Sequence, residues 1–112
     1  MDLTVELKKL QGKPLKTLYQ NKPFEITQVS NNQIILKTSK DPRQSIPLKE
    51  ITTAWNHLQR DKTVTSSGVR DLGGSEPNHA YVVAILANLP GVKHKLGPIV
   101  LTYPEKTSGP LK

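Results

Sequence analysis

The chain has 112 residues, the size of one ordinary domain, and 35% of them are apolar but only five aromatic, so a core must be built from Leu, Ile and Val. It has no cysteine, which excludes disulfides and thiolate metal sites. Sixteen Lys and Arg stand against nine Asp and Glu, a net charge of +7, which makes a polyanion the natural partner because bound cations release counterions from phosphates.

No stretch approaches the roughly 18 apolar residues of a membrane span, and residues 1–4 lack the basic and apolar blocks of a secretory signal. A cytoplasmic protein with no membrane partner is the expectation. Leu3, Leu7 and Leu10 share a face of a short helix that Gly12 and Pro14 would end. Residues 15–19 read as a strand and 21–23 as a turn. Apolar and polar residues alternate from Phe24 toward Val29, the pattern of a half-buried strand. Asn31 and Asn32 suit a tight hairpin turn, since Asn tolerates positive φ. Residues 33–38 and 44–47 complete an antiparallel meander.

The pattern changes at Pro47. Leu48, Ile51, Trp55 and Leu58 recur at helical spacing, so 48–60 is an amphipathic helix, with Trp55 anchoring it to the sheet. Thr63 and Val64 form an extended link. Thr65 or Ser66 caps a short helix that runs to Leu72, and Gly73-Gly74 breaks it. Ser75, Glu76 and Pro77 are a strong helix start: a capping hydroxyl, an acid at the positive end of the dipole, and a proline where the N–H has no partner anyway. The helix they open, 75–89, carries a broad apolar face and ends at Pro90-Gly91. Residues 92–95 and 99–103 are two strands joined by a turn. The polar, proline-containing stretch 104–112 reads as a disordered tail.

From 48 to 103 the order is therefore helix, extended link, short helix, glycine turn, longer helix, two-stranded hairpin. That order resembles the winged helix, a variant of the helix-turn-helix DNA-binding fold; no diagnostic motif accompanies it. The expected fold is α+β: an antiparallel meander over 1–46, a winged-helix-like three-helix module with a C-terminal β-hairpin over 47–103, and the tail over 104–112. Pro47 joins strand to helix with no linker, so one continuous unit is expected.

The resemblance implies a duplex-DNA partner. Ser75, Asn78 and His79 would face the major groove, Ser66, Ser67 and Arg70 the backbone, and Lys93, His94 and Lys95 would supply the wing. An accessory part of a restriction, defence or mobile-element system is the setting that the layout brings to mind. Against this, helix 75–89 holds no Lys or Arg, and beyond its first turn it reads as a central core helix. A protein-interaction module or small inhibitor is the alternative, with a protein partner or a homodimer burying Val83 or Leu86. A third reading gives the function to the meander, through Tyr19 and Phe24. Catalysis is not expected: His57, His79 and His94 have no metal-ligand spacing, and Asp41 and Glu50 are the only candidate carboxylates. No cofactor, metal or small-molecule substrate is expected.

Overall fold

The computed structural model describes residues 3–18, 20–72, 78–96 and 98–103. Helix α1 (Leu3–Leu10) buries Leu7 completely and leaves Lys8 and Lys9 in solvent. Its end turns back on the first sheet. Gly12, at φ +84, donates its N–H to Ile26 O at 2.9 Å, and Gln11 Nε2 donates to Thr27 O at 3.1 Å. Both contacts fall at a bulge, where the strand register shifts between Ile26 and Gln28. The bulge takes carbonyls out of the ladder, and the end of α1 satisfies them.

The first sheet runs β1 (Leu15–Lys16), β2 (Pro23–Val29), β3 (Gln33–Thr38) and β4 (Gln44–Pro47) in chain order, every neighbour antiparallel. It is the expected meander, with Phe24, Ile26, Ile34, Leu36 and Ile46 buried. The β2–β3 turn forms where the sequence places it, but by other means: neither Asn31 nor Asn32 takes a positive φ. Ser30 closes it instead, its N–H and hydroxyl donating to Gln33 O at 3.0 and 2.8 Å. The left-handed asparagine is Asn21 (φ 54), between β1 and β2.

Pro47 leads directly into α2 (Leu48–Asp61), whose first N–H donates to Asn32 O at 2.9 Å. Ile51, Ala54, Trp55 and Leu58 are its buried stripe. Lys62, at φ 68, ends the helix in a left-handed cap and donates its N–H to Leu58 O. Next come β5 (Thr63–Thr65), α3 (Ser66–Asp71), α4 (Asn78–Ala87), β6 (Lys93–Lys95) and β7 (Val100–Thr102). The expected hairpin gains a third strand. Residues 63–65, of which Thr63 and Val64 read from sequence as a link, pair with β7, so the second sheet has the order β5-β7-β6. Ser75, the expected cap of α4, lies outside the described residues, as do Tyr19 and the stretch 104–112.

Helix α4 is covered along its whole middle. Val82, Val83, Ala84, Ile85 and Leu86 are all buried, so no face of its middle is left open. α2, α3, β1 and β7 lie against it. Phe24 of β2 meets Tyr81 edge-to-face, with ring centroids 5.0 Å apart. Trp55 meets Tyr103 in the same way at 5.4 Å, and Tyr103 follows β7 rather than belonging to the first sheet. One apolar cluster runs from Leu7 in α1 to Leu101 in β7. Val83 and Leu86, the residues named for a homodimer face, sit inside that cluster. Among the described residues no helix is long and apolar enough to cross a membrane.

Candidate nucleic-acid interface

Thr65 fixes α3, and α3 carries three of the sequence-derived candidates. The Thr65 hydroxyl accepts from Gly68 N–H at 2.9 Å, a side-chain cap on the helix. Ser66 N–H donates to Ile99 O at 3.2 Å, tying the start of α3 to the turn before β7. Val69 points into the core while Ser67 and Arg70 stay exposed. Ser66, Ser67 and Arg70 thus share an outer surface, and His79 from the first turn of α4 joins them around a shallow hollow of about 270 Å³. Thr65, Pro98 and Ile99 complete its wall.

The wing residues lie beside this hollow in a definite register. Lys95 pairs with Val100, and Val100 pairs with Thr65, so Lys95 stands two strands, about 10 Å, from the cap of α3. Lys93 shares its side of the sheet, and His94 takes the opposite side, level with Leu101 and Val64. All three residues of β6 are exposed.

Asn78 has a different position from the other candidates. Its Oδ1 accepts from Gln44 Nε2 of β4 at 2.8 Å, so the first residue of α4 is held by the meander. The chain matches no family model, no curated protein and no solved structure. The assignment of chemistry to this surface therefore rests on its own geometry.

Residues that sequence reasoning left out extend the surface. A second, larger cavity of about 460 Å³ opens between the β1–β2 connection and α4, and it shares Ser66, His79 and Ile99 with the hollow. Thr17, Gln20 and Lys22 form one side of it, Ala80, Tyr81 and Val83 the other. The β1–β2 connection is stiffly built: Thr17 N–H donates to Lys22 O and Asn21 N–H to Thr17 O, both at 3.0 Å, while the Thr17 hydroxyl accepts from Lys22 N–H at 3.0 Å. Lys16, opposite Pro23, and Lys22 are exposed there. At the same end of the sheet the β3–β4 loop carries Lys40 and Arg43, both exposed. Its Asp41 carboxylate is turned inward to accept Arg43 N–H at 2.9 Å. No carboxylate lines either hollow among the described residues. Lys16, Lys22, Lys40 and Arg43 are brought to one end of the first sheet although up to 27 positions separate them in sequence, so nothing local in the chain announces them. Among the described residues no three His, Asp or Glu side chains come together as a metal site.

Proposed function

We propose that this protein binds duplex DNA, chiefly through the phosphate backbone, with the surface formed by α3, the β6–β7 wing and the β1–β2 connection. The observation that carries the reading is that Ser66, Ser67 and Arg70 line one hollow and Lys22 the hollow adjoining it, with Lys95 two strands from the cap of α3 and no carboxylate among the described residues that line either. Hydroxyls and a guanidinium fork are the groups that phosphate oxygens recruit, and clustered lysines supply the long-range attraction. The winged-helix reading of 48–103 is supported by the order α2–β5–α3–α4–β6–β7 and by β5 joining the hairpin as an outer strand. It departs from that family's usual use in one respect. The first turn of α4 is held by β4, so its part in reading bases has less support than backbone contact by the neighbouring cations.

A protein-docking role has less to rest on. The large hydrophobic side chains exposed among the described residues are Val5 (47%) and Leu96 (60%), on separate elements rather than in one patch. The test is equilibrium binding of a labelled duplex of arbitrary sequence to the full chain over a salt series. Binding is expected at micromolar protein in about 50 mM salt, falling steeply toward about 200 mM. No binding at the low-salt end would sink the proposal.

A further inference from the structure

The two hollows differ in chemistry, and the difference has the pattern of one ligand. The larger is walled by Leu18, Ala80, Tyr81, Val83 and Ile99, with polar groups at its margin. The smaller is walled by the hydroxyl residues Thr65, Ser66 and Ser67 and by Arg70. Ser66, His79 and Ile99 belong to both, so the hollows adjoin and one molecule can span them. We infer that the pair is a site for a single nucleotide unit, its base in the cleft between the β1–β2 connection and α4 and its phosphate against Ser66, Ser67 and Arg70. The inference rests on, and makes specific, the reading of this surface as one that binds nucleic-acid phosphate.

The dimensions and the walls agree with that occupant. Small-molecule sites fall at roughly 300–1,000 Å³, lined mostly by apolar groups with a few polar ones that fix orientation. The cleft, at about 460 Å³, is within that range before the adjoining hollow is added. Its opposite sides come from different elements, Leu18 on one and Ala80 and Tyr81 on the other, so a flat ring entering it would meet apolar groups from both. Tyr81 is braced by Phe24 at 5.0 Å, so its position is set before a ligand arrives. Gln20, at the mouth, offers an amide that can both donate to and accept from a base edge. Arg70 presents a planar fork matched to phosphate oxygens. A sugar would sit at Ser66 and His79, where the hollows join. The same unit could arrive as a free mononucleotide or as an unpaired nucleotide swung out of a duplex, which costs least where the base has no partner.

The experiment compares both sources on the full chain. Adenosine monophosphate, adenosine and inorganic phosphate are titrated separately by calorimetry. A labelled duplex carrying one unpaired adenine is compared with its fully paired counterpart by anisotropy. Two variants address the cleft: Ala80→Leu narrows it, and Gln20→Trp, at an exposed rim position, covers its mouth without disturbing the core, with circular dichroism confirming both folds. The expected result is that the monophosphate binds at least about tenfold more tightly than either fragment, or that the bulged duplex exceeds the paired one by a similar factor. Either preference must fall to near unity in Gln20→Trp. If the paired duplex binds but neither the monophosphate nor the bulge is preferred, the nucleotide site is overturned and backbone binding stands. If the monophosphate binds and no duplex does, backbone binding is overturned and the site is one for free nucleotides. A preference that survives Gln20→Trp and Ala80→Leu unchanged also overturns the proposed location.

Discussion

Gln44 Nε2 donates to Asn78 Oδ1 at 2.8 Å, joining the first residue of β4 to the first residue of α4 across 34 positions of sequence. The bond is half-buried, and Phe24 of the meander meets Tyr81 of the same helix edge-to-face. With the Leu48 N–H bond to Asn32 O, it gives the meander and the helical half a directional link. It also uses the acceptor with which Asn78 would bond an adenine.

Asn78→Ala and Gln44→Ala should each destabilise the protein by about 1 kcal/mol, a neutral hydrogen bond with its desolvation cost. The double variant should cost clearly less than their sum, because either change alone breaks the same bond. Urea unfolding of the four proteins checks this. Duplex affinity of Asn78→Ala, measured where the protein is folded, should stay within about twofold of wild type if the contacts are to phosphate. A selective loss on one DNA sequence would instead point to base reading by Asn78.

The sequence made most of the elements legible because their patterns are long enough to have a period. The stripe Ile51, Trp55 and Leu58 marks α2, and the β2–β3 hairpin and β4 follow from alternation and turn residues. β5 was not legible as a strand: three residues hold no period, and its partner lies 35 positions further on, Thr65 opposite Val100. The docking of α4 on the meander was written in the chain only indirectly. A run that is apolar on every side has to be covered from every side, and after α2 and the second sheet take their share the meander is the remaining cover. Of the candidate residues, Ser66, Ser67, Arg70 and His79 line one hollow. Lys22, Gln20 and Tyr81 escaped notice because their nearness to α3 is a product of that docking.

Arg70 and Lys95 should separate charge from geometry. Replacing Arg70 by Ala is expected to lower duplex affinity and to reduce the slope of log affinity against log salt by about 0.9, one phosphate contact. Arg70→Lys should restore most of the slope but only part of the affinity, since lysine keeps the charge and loses the fork. Lys95→Ala should resemble Arg70→Ala, and the two effects should add. Unchanged slopes in all three variants would remove α3 and the wing from the interface.

Thr65 should matter to binding although it need not touch the ligand. Thr65→Ala removes the hydroxyl that accepts from Gly68 N–H and should cost about 1 kcal/mol, seen as a drop of roughly 4–8 °C in melting temperature. Thr65→Ser should recover most of it. Gly68→Ala offers a sharper test. A Cβ there would stand 3.0 Å from the Thr65 hydroxyl, so a substitution that ordinarily favours a helix should here disturb the cap and destabilise. A stabilised Gly68→Ala protein would show that the cap gives way without cost.

Gly91 and Lys62 both hold left-handed backbone next to the Tyr103 ring, and they should respond differently to substitution. Gly91 sits at φ +83, and an added Cβ would lie 3.4 Å from Tyr103 Cε1. Gly91→Ala therefore meets both backbone strain and a ring that is packed on Trp55, and should destabilise by about 1–2 kcal/mol. Lys62, at φ 68, already bears the Cβ cost of its left-handed cap, with its ammonium 5.5 Å from the Tyr103 ring centre. Lys62→Gly relieves the strain of about 1 kcal/mol and loses an exposed cation–ring contact of about 0.5–1 kcal/mol, while gaining freedom in the unfolded chain. The net change should fall within about 0.5 kcal/mol of zero. Thermal unfolding in low and high salt distinguishes the contributions: the cation–ring part of the Lys62→Gly effect should shrink as salt rises, whereas the Gly91→Ala loss should not move. A salt-dependent Gly91→Ala loss would mean that electrostatics, not steric contact with Tyr103, set its cost.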